Sequence, residues 1–335
     1  MPIPSRKDSV TAMNPLPVIL DVDTGIDDAF ALMLAVRDPR LELRAVTCVS
    51  GNVNVDQVVT NTEYVLETAG AAHVPVARGA TRPLLAEPHH ATHVHGADGL
   101  GGFARPSDRR TEHLHAVELL RRELMAAIGN GETITLIPMA PQTNIAMLLR
   151  TYPEVAPGIE RIVFMGGSAS VGNATATAEF NVFADPEAAA IAIAAAGQLD
   201  IPMTMYGLDV FNEVLITREQ AVSLRRSGDP AAQLAGALLE HQLGVFGREA
   251  TTIGDAGAVC AVIEPEGLRT QKYGVRVETG GSYSRGQTIV DRRDWAGDLD
   301  DDPQGANLTT MVDIGLEVDA AGYAKLWLAA LGQTP

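Results

Sequence analysis

A single α/β domain around a mostly parallel sheet is the fold class this sequence predicts, and three observations predict it. Short unbroken Val/Ile/Leu runs alternate with helical runs, the signature of buried parallel strands joined by crossover helices. The composition supplies an aliphatic core, with 46% hydrophobic residues but only 4% aromatic ones. At 335 residues the chain is long for one domain, yet within range for a large α/β unit.

The elements come in order. Residues 1–15 read as a loose tail and 16–335 as the domain. LPVILDVD (16–23) reads as a buried strand, and DDAFALMLAV (27–36) as the helix after it. LRAVTCVS (43–50) and VDQVVTNTEYVLETA (55–69) repeat the pair. The stretch 79–112 is rich in Gly, Pro and His and lacks periodicity, as a lid over a site does. ITLIPM (134–139), RIVFMGG (161–167) and IPMTMYG (201–207) are further strands. Helices are expected to start near Pro141, Asp185 and Thr217, and another to span 231–247. The stretch 273–293 reads as a small antiparallel hairpin. In such folds ligands gather at the carboxyl ends of the strands.

Charge removes some function classes. The formal net charge is −17, with 42 acidic against 25 basic residues. No basic face is available to displace counterions from nucleic-acid phosphates. No stretch approaches the roughly 20 apolar residues of a membrane span, and the N-terminus lacks the apolar segment of a signal peptide. Cys48 and Cys260 sit in apolar runs and are expected as buried free thiols, which suits a reducing cytoplasm.

The strongest chemical signal is Asp21-Val-Asp23-Thr-Gly25-Ile-Asp27-Asp28. One Asp would serve to cap the next helix. Four crowded carboxylates repel one another unless a cation sits among them, and a hard, oxygen-seeking ion such as Ca²⁺ or Mg²⁺ meets that need. A competing reading treats Asp21 and Asp23 as the D-x-D of a haloacid-dehalogenase-like phosphatase, one Asp accepting the phosphoryl group. Gly297-Asp298-Leu-Asp-Asp-Asp302 matches a later motif of those enzymes, although it lies in a polar stretch.

Residues 21–29 also match D-x-D-x-G-x-D-D-A, and here the chain resembles the inosine-uridine-preferring nucleoside hydrolases. Val-Ser-Gly-Asn52, Ala140-Pro-Gln-Thr-Asn144-Ile-Ala and Phe164-Met165-Gly-Gly-Ser look like later segments of that family. So do Val171-Gly-Asn173, Ala178-Glu179-Phe-Asn181, Ala184-Asp-Pro-Glu-Ala188, Gly207-Leu-Asp-Val and Gly254-Asp255-Ala. Several motifs in family order, over roughly 16–332, are more specific than any one alone.

The resemblance implies a calcium-dependent enzyme that hydrolyses the N-glycosidic bond of ribonucleosides to ribose and free base. Asp23, Asp28, Asp255 and the Met139 carbonyl would bind Ca²⁺. Asp23 would take a proton from a water made acidic by the ion. Asp27, Asn52, Asn173, Glu179 and Asn181 would hold the ribose hydroxyls, with Met165 under the sugar. Cleavage passes through an oxocarbenium-like sugar, which a ring of carboxylates stabilises. The partner is a small-molecule ribonucleoside, and a homodimer or homotetramer is implied. Taken singly, Asn173, Glu179 and Asn181 read equally as turn and helix caps, and Asp255 as an N-cap.

Two departures stand out. Many members place a His, others a Trp, immediately before the late Asp, where this chain has Gly254. The G-L-D-V segment, usually followed by T-H, continues here as Phe211-Asn212. A proton donor for the leaving base must then come from elsewhere. His95, in H-G-A-D-G-L-G, is the preferred candidate and His241 the second. His89, His90 and His93 share the loop, and the first two read as solvated. A protein that binds nucleosides or ribose and scarcely turns them over is the remaining alternative.

Overall fold

The structure, a computed structural model, describes residues 14–107, 109, 111–293 and 309–333. Most of the expected tail and the acidic stretch 297–302 lie outside the described residues. The chain runs β1 (Leu16–Val22), α1 (Ile26–Arg37), β2 (Leu41–Cys48), α2 (Val55–Ala69), β3 (Val76–Arg78), α3 (Thr92–His95), α4 (Ala116–Asn130) and β4 (Ile134–Pro138). It continues through α5 (Thr143–Thr151), β5 (Ile159–Met165), α6 (Phe180–Ala184), α7 (Pro186–Gln198), β6 (Met203–Tyr206), α8 (Leu208–Phe211) and β7 (Leu215–Thr217). Last come α9 (Arg218–Arg225), α10 (Pro230–Phe246), β8 (Ala250–Thr252), α11 (Ala256–Ile263), β9 (Leu268–Val277), β10 (Thr288–Asp291), β11 (Thr310–Val318) and α12 (Ala320–Ala330).

Among the described residues the main sheet has nine strands in the order β10-β9-β11-β6-β5-β4-β1-β2-β3. From β1 the chain first winds outward through β2 and β3, then returns to β1's other side with β4, β5 and β6. All of these neighbours pair in parallel. The winding reverses between β1 and β4. At such a switch point two connections leave in opposite directions and open a crevice above the carboxyl ends.

Helices cover both faces. One buried cluster joins α1, α2, α10, α11 and α12 to one side of the sheet, and a second joins α4, α5 and α7 to the other. The aliphatic composition is visible here. The few large aromatic groups include Trp327, which meets Phe30 edge-on at 5.2 Å and donates its indole N–H to the Phe30 carbonyl at 3.2 Å. The helix starts expected at Asp185 and Thr217 coincide with side-chain caps. Asp185 accepts from the Ala188 amide at 3.1 Å, and Thr217 from the Gln220 amide at 3.2 Å. Cys48 and Cys260 are both buried and unpaired.

Two expectations need adjustment. The late hairpin exists, β10 pairing antiparallel with β9, but it extends the main sheet. The joining strand is β11, parallel to β6 and antiparallel to β9, which the pattern of apolar runs does not reveal. The separate small antiparallel pair is β7 with β8. The stretch 79–112 is also more ordered than an aperiodic loop, since it holds α3 and a bridge from Ala77 to Glu112. Among the described residues no helix is long and apolar enough to cross a membrane.

Candidate active site

The crevice between β1 and β4 is lined by the residues just beyond each strand's carboxyl end. Asp23 comes one residue after β1 ends, fully buried. Its Oδ2 accepts the Asn52 amide at 2.7 Å, and its Oδ1 is buried with no partner. The chain beyond β2 wraps so tightly around this carboxylate that a Cβ on Gly51 would stand 1.9 Å from Asp23 Oδ2. Only glycine permits that approach.

Asp28, in the first turn of α1, folds back on the strand end. Its Oδ1 accepts the Asp23 amide at 3.2 Å, and its Oδ2 accepts the Gly25 amide at 2.8 Å and the Asn52 side-chain amide at 3.3 Å. Asp28 therefore does cap the helix. Asp255 does not: it stands at the N-terminus of α11, yet its side chain makes no capping bond. Carboxylate oxygens of Asp27, Asp28 and Asp255 lie within 4.8 Å of one another, the spacing of a cation site. Asp27 Oδ1 is buried and unpartnered.

Such crowding shows in the acidities. Burial first, then the Asp27 charge, lifts Asp28 to about 8. Asp23 is raised well above the usual carboxylate range by burial and then by Asp28. Asp255 is raised likewise by burial, then by the charges of Asp27, Asp28, Asp23 and Glu179. Asp23, Asp28 and Asp255 are thus buried together beside Asp27, whose charge adds to the cost of ionising each of them. Unpartnered buried oxygens on Asp23 and Asp27 are the donor set a hard divalent cation takes, so the residues fit such an ion.

Of the residues expected at the ribose, Asn52 bonds both Asp23 and Asp28, and the Glu179 charge bears on Asp255. Asn181 Nδ2 donates to the Met139 carbonyl at 3.0 Å, the Met165 carbonyl at 3.2 Å and Met165 Sδ at 3.4 Å. One amide thereby joins the ends of β4 and β5. The buried Glu179 carboxylate takes the amides of Gly167, Asn181 and Val182 at 2.9, 2.9 and 3.1 Å, and burial lifts it to about 7. It is a cap of α6 and a member of the acidic ring at once. Asn173 is exposed, and its Oδ1 accepts the Phe180 amide at 2.9 Å, so its observed work is to shape a turn.

Asp21 stands apart from the cluster. It is 2% exposed within the sheet, and its Oδ1 accepts from Thr47 Oγ1 at 2.6 Å and Asn144 Nδ2 at 2.8 Å. A carboxylate so placed is not available to an incoming phosphoryl group, which removes Asp21 as the nucleophile of the phosphatase reading. Sequence patterning gives Thr47 no part and marks Asn144 only as a motif letter; the alternating strand period alone does not reveal them as partners of Asp21. It likewise leaves Asp209 without a role, and Asp209 takes the Ala169 amide at 2.8 Å and the Ser170 hydroxyl at 2.6 Å.

The histidines divide clearly. His95 is buried, and its Nδ1 accepts the Ile26 amide at 3.1 Å, the first amide of α1. With Nδ1 accepting, the ring proton sits on Nε2. Burial lowers the His95 pKa, Asp27 at 3.8 Å opposes that, and His93 and His241 add to it. His95 is therefore a neutral N–H donor beside the carboxylates. His241 is half-buried on α10, with its Nε2 buried and unpartnered. His89 is exposed, as the solvated reading expects, although its ring also packs on Phe183 at 5.5 Å and Phe180 at 6.2 Å. The solvated reading fails for His90, whose Nδ1 lies 2.7 Å from the Gly51 carbonyl.

The two departures meet in space. Gly254 has φ +55°, and a Cβ there would lie 2.6 Å from Asp27 Cβ and 3.0 Å from Phe211 Cζ. Where a family side chain is usual, this chain has a left-handed backbone with Asp27 and Phe211 already in the space.

Comparison with known proteins agrees with this geometry. The family model described as inosine-uridine preferring nucleoside hydrolase matches residues 18–325. A pyrimidine-specific ribonucleoside hydrolase, RihA, from Photobacterium profundum is 39% identical over 304 residues, covering 89% of this chain and 94% of the relative. An inosine-uridine preferring nucleoside hydrolase from Leishmania major is 37% identical over 318 residues, covering 93% and 95%. Among solved structures, a purine-preferring ribonucleoside hydrolase from Gardnerella vaginalis superposes with a TM-score of 0.82 at 26% identity, covering 94% of this chain and 98% of that one.

Proposed function

The chain belongs to the inosine-uridine preferring nucleoside hydrolase family and cleaves the N-glycosidic bond of ribonucleosides; from that premise we propose how its own residues do so. The observation that carries the proposal is the convergence of Asp23, Asp27, Asp28 and Asp255, with unpartnered oxygens on Asp23 and Asp27, at the β1/β4 switch point. Asp23, Asp28, Asp255 and the Met139 carbonyl would hold Ca²⁺, with Asp27, a carboxylate oxygen of which lies within 4.8 Å of those of Asp28 and Asp255, close enough to contribute. A divalent cation there supplies the positive charge that keeps these carboxylates ionised and acidifies an attacking water.

Asp23 would accept the proton of the attacking water. Asp27, Asn52, Glu179 and Asn181 grip the ribose hydroxyls, Met165 lies beneath the ring, and Asn173 completes the grip from the exposed rim. The ring of carboxylates opposes the positive charge that develops on the sugar. Departure of the base is assisted by the Nε2 proton of His95, with His241 as the second donor. A neutral imidazole serves because a strong hydrogen bond to the developing anion needs no full proton transfer in advance.

Relatives named for pyrimidines and for inosine and uridine stand at 39% and 37% identity. A site that grips ribose through carboxylates tolerates several bases, and uridine, cytidine and inosine are the substrates to try first. The buried free thiols support a cytoplasmic enzyme. Family resemblance supports a homodimer or homotetramer, which sedimentation velocity measures.

The test is ribose release from inosine, uridine, cytidine and p-nitrophenyl riboside, with calcium and after its removal. Calcium-dependent release, abolished by Asp23→Ala, supports the assignment. Nucleoside-dependent thermal shift without any ribose release would leave a binding protein in its place.

A further inference from the structure

The loop motif H-G-A-D-G-L-G has a use for its histidine in the proposal above but none for its aspartate. Asp98 is half-buried, and its carboxylate accepts three backbone amides: Leu100 at 3.1 Å and Gly102 at 2.9 Å on Oδ1, and Ala104 at 3.1 Å on Oδ2. These bonds curl 98–104 into a compact turn. The curl brings the Gly101 amide within 2.8 Å of the His95 carbonyl and lays Gly101 against the His241 ring, where a Cβ would come within 2.7 Å.

Asn61, fully buried on α2, fastens this turn to the site. Its Nδ2 donates to the Asp98 carbonyl at 2.8 Å and to the Thr24 carbonyl at 3.0 Å. Thr24 lies two residues before Ile26, whose amide holds His95 Nδ1. The contacts therefore close a ring: Thr24 to Asn61, Asn61 to Asp98, Asp98 through its turn to Gly101, Gly101 to His95, and His95 back to Ile26. Gly99 permits the close approach, since a Cβ there would stand 2.8 Å from Asn61 Nδ2.

We propose that Asp98 and Asn61 are positioning residues of the hydrolytic reaction, holding the His95 imidazole against the first amide of α1 so that its proton stays on Nε2. Neither residue needs to touch substrate to do this. The groups facing His95 are Asp27 of α1, His93 of α3 and His241 of α10, and none of these replaces the Ile26 bond that selects the tautomer. The inference rests on His95 as donor to the leaving base.

The experiment compares Asp98→Asn, Asn61→Ala, His95→Gln and the double variant Asp98→Asn/His95→Gln, all with calcium. Substrates are uridine, whose base needs a donor, and p-nitrophenyl riboside, whose phenolate leaves without one. Misplacing a donor by about 1 Å costs on the order of 10²-fold. Asp98→Asn is expected to lose about that much kcat on uridine, with KM nearly unchanged and p-nitrophenyl riboside cleaved as before. The double variant should be no slower than His95→Gln alone. In ¹⁵N-histidine-labelled protein, the His95 ring should show the Nε2–H tautomer in the parent and a tautomer mixture in Asp98→Asn. Should Asp98→Asn fail to fold, Asn61→Ala reports on the same ring of contacts from α2.

If His95→Gln loses selectively on uridine while Asp98→Asn and Asn61→Ala slow both substrates alike, the positioning role is overturned and the donor stands. If His95→Gln cleaves both substrates at parental rates, the donor reading fails and takes the positioning role with it. An unchanged His95 tautomer in both loop variants also overturns the proposal.

Discussion

At the scale of single residues, the site is a compromise between function and self-repulsion. Asp23→Asn removes the proposed proton acceptor, so kcat is expected to fall by about 10²- to 10⁴-fold. It also removes one charge from a crowded buried group. The calcium-free variant should therefore melt higher than the parent at pH 8, while calcium should no longer raise its melting temperature. Equal melting of parent and variant without calcium would contradict the repulsion inferred from Asp23 and Asp28. Gly254→His tests the departure from the family pattern. The substitution forces a β-carbon into a left-handed backbone against Asp27 and Phe211. It should cost about 1–3 kcal/mol of stability and should not raise turnover on uridine. A gain in turnover there would show that the space is available after all.

At the scale of elements, the proposed site is built from residues that strand ends and helix starts present to one edge of the sheet. The β1, β2, β4 and β5 ends deliver Asp23, Asn52, Met139 and Met165, and the helix starts of α1, α6 and α11 deliver Asp28, Glu179 and Asp255. Helix N-termini are tolerable places for buried carboxylates because free amides face them. Away from the site, caps act on stability alone. Asn54 accepts the Gln57 amide at 3.1 Å at the start of α2. Asn54→Ala should destabilise the protein by about 1 kcal/mol with kcat on uridine intact, as chemical denaturation and ribose release would measure. A large loss of kcat would mean that the register of Asn61 on α2 depends on the cap.

At the scale of the molecule, the buried acids couple folding to pH and, at the proposed metal site, to a cation. Asp28 titrates at about 8 and Asp21 and Glu179 at about 7 in the folded chain, all raised chiefly by burial, whereas the unfolded chain gives these protons up near 4. Between those limits the folded state binds more protons than the unfolded one. Stability without calcium should therefore be greatest near pH 4–5 and fall as pH rises through about 8. Calcium should stabilise more at pH 8 than at pH 5, because its carboxylate ligands must be ionised. Melting temperatures at pH 5, 6, 7 and 8, with calcium and with a chelator, check both statements. A chelated protein whose melting temperature is flat across this range would refute them.

The apolar runs, their alternation with helices and the order of polar motifs after them are local properties, and they suffice for the fold class and for the crowding of acids from Asp21 to Asp28. Strand ends were legible because a run of Val, Ile and Leu stops where polar chemistry starts. What remained for the tertiary structure were relations between residues far apart in the chain. Asp21 and Asp23 share a strand side by periodicity, yet only the approach of Thr47 and Asn144 to one, and of Gly51 and Asn52 to the other, separates a structural acid from a site acid. Strand β11 escaped because its alternating pattern is weaker than a buried run, and its place beside β6 and β9 is decided by sheet pairing. The tautomer of His95, the filling of the space beside Gly254 by Phe211, and the capture of Asp98 by Asn61 arise from packing between segments about 40 to 70 positions apart. Periodicity carries no information at that range, because the contacts depend on how whole elements dock.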